Sequence, residues 1–164
     1  MGQLVHTLPE GEPVCGVTSL AGEIYLYRLK ERGEVEVYDV ITYRLQRCRT
    51  VPKIRRLTDM TSCEHWHCVY IGDGIDECVL RLDADLQGAV TRWTVNDVPF
   101  GLSVNAAHNV IVTCQLFRQI KEISSRGNLL REITLSNDII HPYHAIQTRS
   151  GQFIVCHGSS FHHD

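Results

Sequence analysis

The chain has 164 residues, 43% of them hydrophobic and 21% charged, with a net charge of −3. That is one globular domain, and the values exclude a disordered tail, a fibrous repeat and a basic coat for nucleic acid. No apolar run reaches the roughly 20 residues of a membrane-spanning helix, and MGQLVHTLPEGEP has no basic start followed by an apolar stretch. With no export signal expected, the seven cysteines are read as reduced thiols in a cytoplasmic protein.

In chain order, GQLVHTL comes first as a candidate outer strand, and then the runs EIYLYR, EVEVYDV and YRLQRCRTV follow the Gly22 turn. The next unit places strands at 58–62, 68–72, 78–83 and 89–95. A third places them at 101–105, 110–115, 119–124 and 129–135, and a last pair falls at 144–148 and 152–157. Val, Ile, Tyr, Thr and Leu fill these runs, while Gly, Asn, Asp and Ser separate them. FRQIKEISSR (117–126) suits a short helix on its own, but its register with EVEVYDV and CVLRLDA makes it a strand. The turn tips His67, Asn109 and Gly151, each before a β-rich phrase (CVYIGD, VIVTCQ, FIVCHG), are spaced by 42 residues.

Units of about 42 residues with four strands each are the sequence sign of propeller blades, so the expected fold is all-β, a partial propeller of four-stranded antiparallel blades. Pro99-Phe100-Gly101-Leu102 followed by Asn109-Val110-Ile111-Val112, together with Tyr70-Ile71-Gly72-Asp73, resembles the NHL-repeat class. The first blade departs at Tyr27-Arg28, and the last carries His144 where that class has glycine. Counting the repeats gives blades at 14–56, 57–99, 100–142 and an incomplete 143–164, with 1–13 as a possible closing strand of a single domain spanning 1–164. Three and a half blades leave an apolar blade face open. Several hundred Å² at ~25 cal/mol per Å² is roughly 10 kcal/mol of burial not realised, which points to a longer propeller or to self-association through open blade edges.

Two residue sets stand out. The positions ending the second strand of each unit are Arg28, Asp73, Gln115 and His157, which share one level as a polar rim. They cap strands or, with Phe100 and Tyr143 as aromatic anchors, contact a partner. Residues 14–56 carry +4 and 57–99 carry −6, with the basic excess in YRLQRCRTVPKIRR. Arg47 and Arg49 read as edge charges that discourage aggregation. Lys53, Arg55 and Arg56, in an inter-blade loop, read as phosphate or RNA contacts, or as a dock for an acidic partner.

Cys63-Glu-His-Trp-His-Cys68 offers three readings: a reduced surface turn, a disulfide across the tip, or a metal site. The surface turn leads, and no metal is assigned. Cys114 and Cys156 are expected as small buried residues. No nucleophile elbow, zincin motif or phosphate loop occurs, so no catalytic residue and no cofactor is assigned. The expected function is a non-catalytic recognition module for a protein or peptide, with RNA binding as the alternative. A metal-dependent hydrolase or lyase of propeller type is the further alternative, suggested by the histidines near the C-terminus.

Overall fold

The computed structural model describes residues 13–29 and 33–158. The first sheet contains β1 (Val14–Leu20), β2 (Glu23–Arg28), β3 (Gly33–Asp39) and β4 (Leu45–Val51). The second contains β5 (Leu57–Cys63), β6 (Cys68–Asp73), β7 (Cys78–Asp83) and β8 (Thr91–Thr94), and the third β9 (Pro99–Val104), β10 (Val110–Cys114), β11 (Gln119–Ile123) and β12 (Leu129–Thr134). A pair, β13 (Ile140–Gln147) and β14 (Phe153–Gly158), ends the described chain. Each sheet is antiparallel, with its strands in sequence order. No helix is present among the described residues, and FRQIKEISSR supplies β11 as its register requires. The closing strand expected over 1–13 lies outside the described residues, except for its last position.

Strands meet through tight turns. Ala21 and Gly22 both have positive φ (50° and 80°), the backbone of a two-residue hairpin whose twist matches its strands. The innermost strands β1, β5, β9 and β13 are neighbours, so the sheets radiate from a common line. Hydroxyl groups tie that line together: Ser62 donates to the Ser19 carbonyl at 2.7 Å, Thr58 to the Pro99 carbonyl, and Ser103 to the Ala145 carbonyl at 2.7 Å.

Apolar residues fill the spaces between sheets. Tyr25, Tyr27, Val35 and Val37 pack against Val69, Ile71, Leu80 and Leu82, and Tyr70, Val79 and Trp93 pack against Leu102, Val110 and Val112. The third interface is thinner, with Ile111, Ile120 and Ala145 buried and Phe153 and Val155 half-covered. Two strands cannot cover what four would.

Several expectations change. Cys114 is fully buried as expected, but Cys156 is exposed, because its side of β14 faces no further sheet among the described residues. Arg47 and Arg49 are not free edge charges. Arg47 pairs with Glu23 at 2.6 Å and donates to the Ala84 carbonyl at 2.7 Å, while Arg49 donates to the carbonyls of Leu86 and Gly88. They bolt the outer strand of the first sheet onto the 84–88 loop of the second. β8 is shorter than the strand expected at 89–95, spanning Thr91–Thr94. β13 begins earlier than 144, with register shifts on both sides of Pro142, which has no N–H to give the ladder.

Candidate recognition face

Alternating hairpins put the loops 52–56, 74–77, 95–98, 115–118 and 135–139 at one end of the sheets. Backbone bonds link them: Gly74 to the Arg56 carbonyl, Gln115 to Val98, and Leu135 to Arg118. Beneath this face lie two carboxylates with almost no solvent contact. The Asp73 carboxylate accepts the amides of Arg55 (2.8 Å), Arg56 (3.2 Å), Ile75 (3.0 Å) and Asp76 (3.2 Å). Asp97, 0% exposed, accepts those of Val98 (2.6 Å), Leu116 (3.0 Å) and Phe117 (3.0 Å). Each carboxylate fixes a β-turn and an inter-blade connection together, satisfying amides that would otherwise point into protein.

The loops so held present apolar tips. Ile75 is 46% exposed, Leu116 59% and Phe117 62%, and Leu29 projects from the corresponding turn of the first sheet. Charged groups surround them. Asp76 pairs with Arg55 at 3.2 Å and with Arg92 at 3.0 Å, and those guanidinium groups hold its carboxyl below the usual range. Sequence reading missed Ile75, Leu116, Phe117 and Asp97. The available signal was an apolar pair, Leu116-Phe117, at a position where other turns carry polar residues.

The four rim residues share a register but not an environment. Arg28 is buried and paired with Glu36 at 2.7 Å, whose carboxylate also accepts the Tyr38 hydroxyl at 2.9 Å. Asp73 is spent on backbone amides. Gln115 is half-buried, and His157 is exposed. Lys53, Arg55 and Arg56 are all exposed around the fully buried Ile54, but Arg55 is committed to Asp76, and Arg56 donates to the Gly74 carbonyl at 3.3 Å.

Phe100 and Tyr143 do meet, with ring centroids 5.4 Å apart. Beside them, His144 Nδ1 lies 3.3 Å from Asp59 Oδ2, which also accepts the Leu102 amide at 2.7 Å. The hydrogen bond to Asp59 raises the His144 pKa above its ordinary value, more than partial burial lowers it. The charged pair therefore contributes its full stabilisation below about pH 6.5, the unfolded histidine's value, and loses it as pH rises through the raised folded value. An NMR titration of the His144 ring should give a raised midpoint that returns to an ordinary one in Asp59→Asn.

The Cys63–Cys68 turn has its tip outside and its cysteines inside. Residues 64–67 are exposed, whereas both cysteines are buried register partners with free thiols. His65 stacks on His108, with ring centroids 4.0 Å apart. Among the described residues no three His, Cys, Asp or Glu side chains are grouped to hold a metal. Loss of hydration pushes Cys78 up to about 11 and Cys114 to about 12, and also raises Cys68. Maleimide should label only the exposed Cys15, Cys48 and Cys156 in the native protein and all seven cysteines after unfolding, counted by mass.

No family model and no curated relative matches the chain. Solved structures do. Hydrazine synthase of Kuenenia stuttgartiensis superposes with a TM-score of 0.76 at 14% identity, over 96% of this chain and 45% of that one. A streptogramin B lyase gives 0.70 at 13%, over 93% and 50%. A catalytically inactive virginiamycin B lyase from Staphylococcus aureus, solved with quinupristin, gives 0.71 at 13%, over 88% and 48%. The chain thus spans about half the length of these structures. Such identities carry the fold alone, and the fold is an all-β partial propeller. No helix among the described residues is long and apolar enough to cross a membrane.

Proposed function

We propose that this chain is an NHL-like, non-catalytic recognition module, and that the face bearing Leu29, Ile75, Leu116 and Phe117 binds a protein or peptide. The observation that carries the reading is the pairing of buried Asp73 and Asp97 with exposed apolar tips on the loops they anchor. A rigid loop loses little entropy on binding, so an aromatic tip keeps most of its burial energy, ~2 kcal/mol for a Phe that becomes fully covered. Protein is favoured over RNA because Asp76, paired with Arg55 and Arg92, sets an acidic group beside the loop where a phosphate would have to sit.

Peptides selected from a random display library on the intact protein should lose at least about tenfold in affinity against Phe117→Ser and Leu116→Ser, from the burial lost at each tip. They should be unaffected by Trp66→Ser on the opposite face. Selected peptides indifferent to both loop variants would refute the assignment. Single-stranded RNA is expected to show no salt-dependent binding through Lys53, Arg55 and Arg56, against a slope near −0.7 per phosphate contacted if it used that loop.

A further inference from the structure

A cavity of about 280 Å³ opens between the outer parts of the second and third sheets, lined by Thr94, Val95 and Asn96 on one side and Lys121, Ile123, Gly127, Leu129 and Glu132 on the other. It shares Val95 and Asn96 with the loops of the recognition face, but none of the exposed apolar tips lines it. Val95, Ile123 and Leu129 give it an aliphatic side among the polar Thr94, Asn96, Lys121 and Glu132, and the two buried donors at it are unusual for a space between blades.

Lys121 is only 7% exposed. Its ammonium donates to the Val95 carbonyl at 2.7 Å and lies 3.5 Å from Glu132, whose side chain is 40% exposed. An ammonium has three donors, and those two contacts leave the third for another acceptor. A lysine in a mostly apolar interface is costly without full pairing, and a half-exposed glutamate is a replaceable counter-ion. The second donor is Trp93, 6% exposed, whose indole Nε1 is buried with no hydrogen-bond partner. Gly127 (φ +86°) forms the wall in front of it, since a Cβ there would sit 2.5 Å from that nitrogen. With Gly127 between that nitrogen and the cavity, Trp93 borders the site as a ring and offers a ligand no hydrogen bond.

We propose that this cavity is a binding site for a small monocarboxylate with an aliphatic tail. Its carboxylate displaces Glu132 from Lys121, and its tail lies on Ile123 and Leu129, close to the Trp93 edge. The size suits a short ligand, at the low end of small-molecule sites. Selectivity follows from charge: the Lys121 ammonium needs an anion to replace Glu132, which a neutral alcohol of the same length cannot supply.

The chain has two tryptophans, so Trp66→Phe leaves Trp93 as the sole indole reporter. In that background, hexanoate should change Trp93 fluorescence saturably. Glu132→Gln, which removes the competing counter-ion at an exposed position, should tighten binding several-fold. Lys121→Met should weaken it at least about tenfold, and 1-hexanol should not compete. Absence of a saturable change (water alone filling the space), equal binding of hexanol, or indifference to Glu132→Gln would each overturn the proposal. The last two need no change at a buried position, so they remain decisive if Lys121→Met fails to fold.

Discussion

Gly101→Ala should lower the melting temperature by about 6–12 °C, from roughly 3 kcal/mol of overpacking in a domain of this size. Gly101 sits on β9 where the third sheet meets β13, and a methyl group there would strike the Tyr143 carbonyl oxygen and lie 2.8 Å from the His144 Cα. Both atoms belong to backbone, so no side chain can turn aside. The only relief is separation of β9 from β13, which would strip cover from Ala145 and break the bond from Ser103 to its carbonyl. The third interface is also the thinnest, with the least burial in reserve. Scanning calorimetry of wild type and variant checks this. An unchanged melting temperature would mean that β9 and β13 do not approach as described. Gly22→Ala is the useful contrast: a Cβ there meets nothing within 4 Å, so its cost is confined to the positive φ.

Asp97→Ala is expected to cost about 3 kcal/mol or more, because three amides lose a charged acceptor at once and hydrogen bonds to charged groups are each worth about 1.5–3 kcal/mol. Two of those amides, Leu116 and Phe117, belong to a turn and the third, Val98, to the connection between the second and third sheets. The variant should therefore melt lower and also bind loop-selected peptides more weakly, even though Asp97 touches no partner. Asp97→Asn keeps an acceptor oxygen without its charge and should fall between the two. Circular dichroism melts give the order. If alanine and asparagine melt together with the wild type, Asp97 is not the anchor of these loops.

How much of this was legible beforehand follows from what kind of signal each feature leaves. The four-stranded antiparallel sheets and their strand order came through because the turns recur at 42 residues and the strands between them alternate, both local properties of the chain. Cys114 was legible as core because β10 is apolar but for Thr113. Cys156 has the same local pattern, yet it is exposed, since its cover depends on a neighbouring sheet and no local pattern encodes that. Arg47 and Arg49 looked like edge charges, as arginines on outer strands do, until the 84–88 loop of the next sheet was seen to offer them carbonyls. Asp73 was singled out for a rim position but its task, holding four amides from two separate segments, is a tertiary fact. Asp97 and the apolar tips at 75, 116 and 117 were invisible for the same reason: an aspartate in a turn and a phenylalanine near it are unremarkable until one is found buried and the other outside. Phe100 and Tyr143 stood out because each opens a blade at an equivalent position, but their contact with each other is a tertiary fact.

The central physical claim is that loop tips standing in solvent are held rigid from below. Amide hydrogen exchange, read residue by residue by NMR on the unmodified protein, tests it without any partner. The amides of Ile75, Asp76, Leu116 and Phe117 should exchange orders of magnitude more slowly than free-chain rates, although Ile75, Leu116 and Phe117 have exposed side chains, because each amide donates to a buried carboxylate. Exchange of those four amides at free-chain rates would contradict the account, since the tips would then be flexible loops and not a preformed surface.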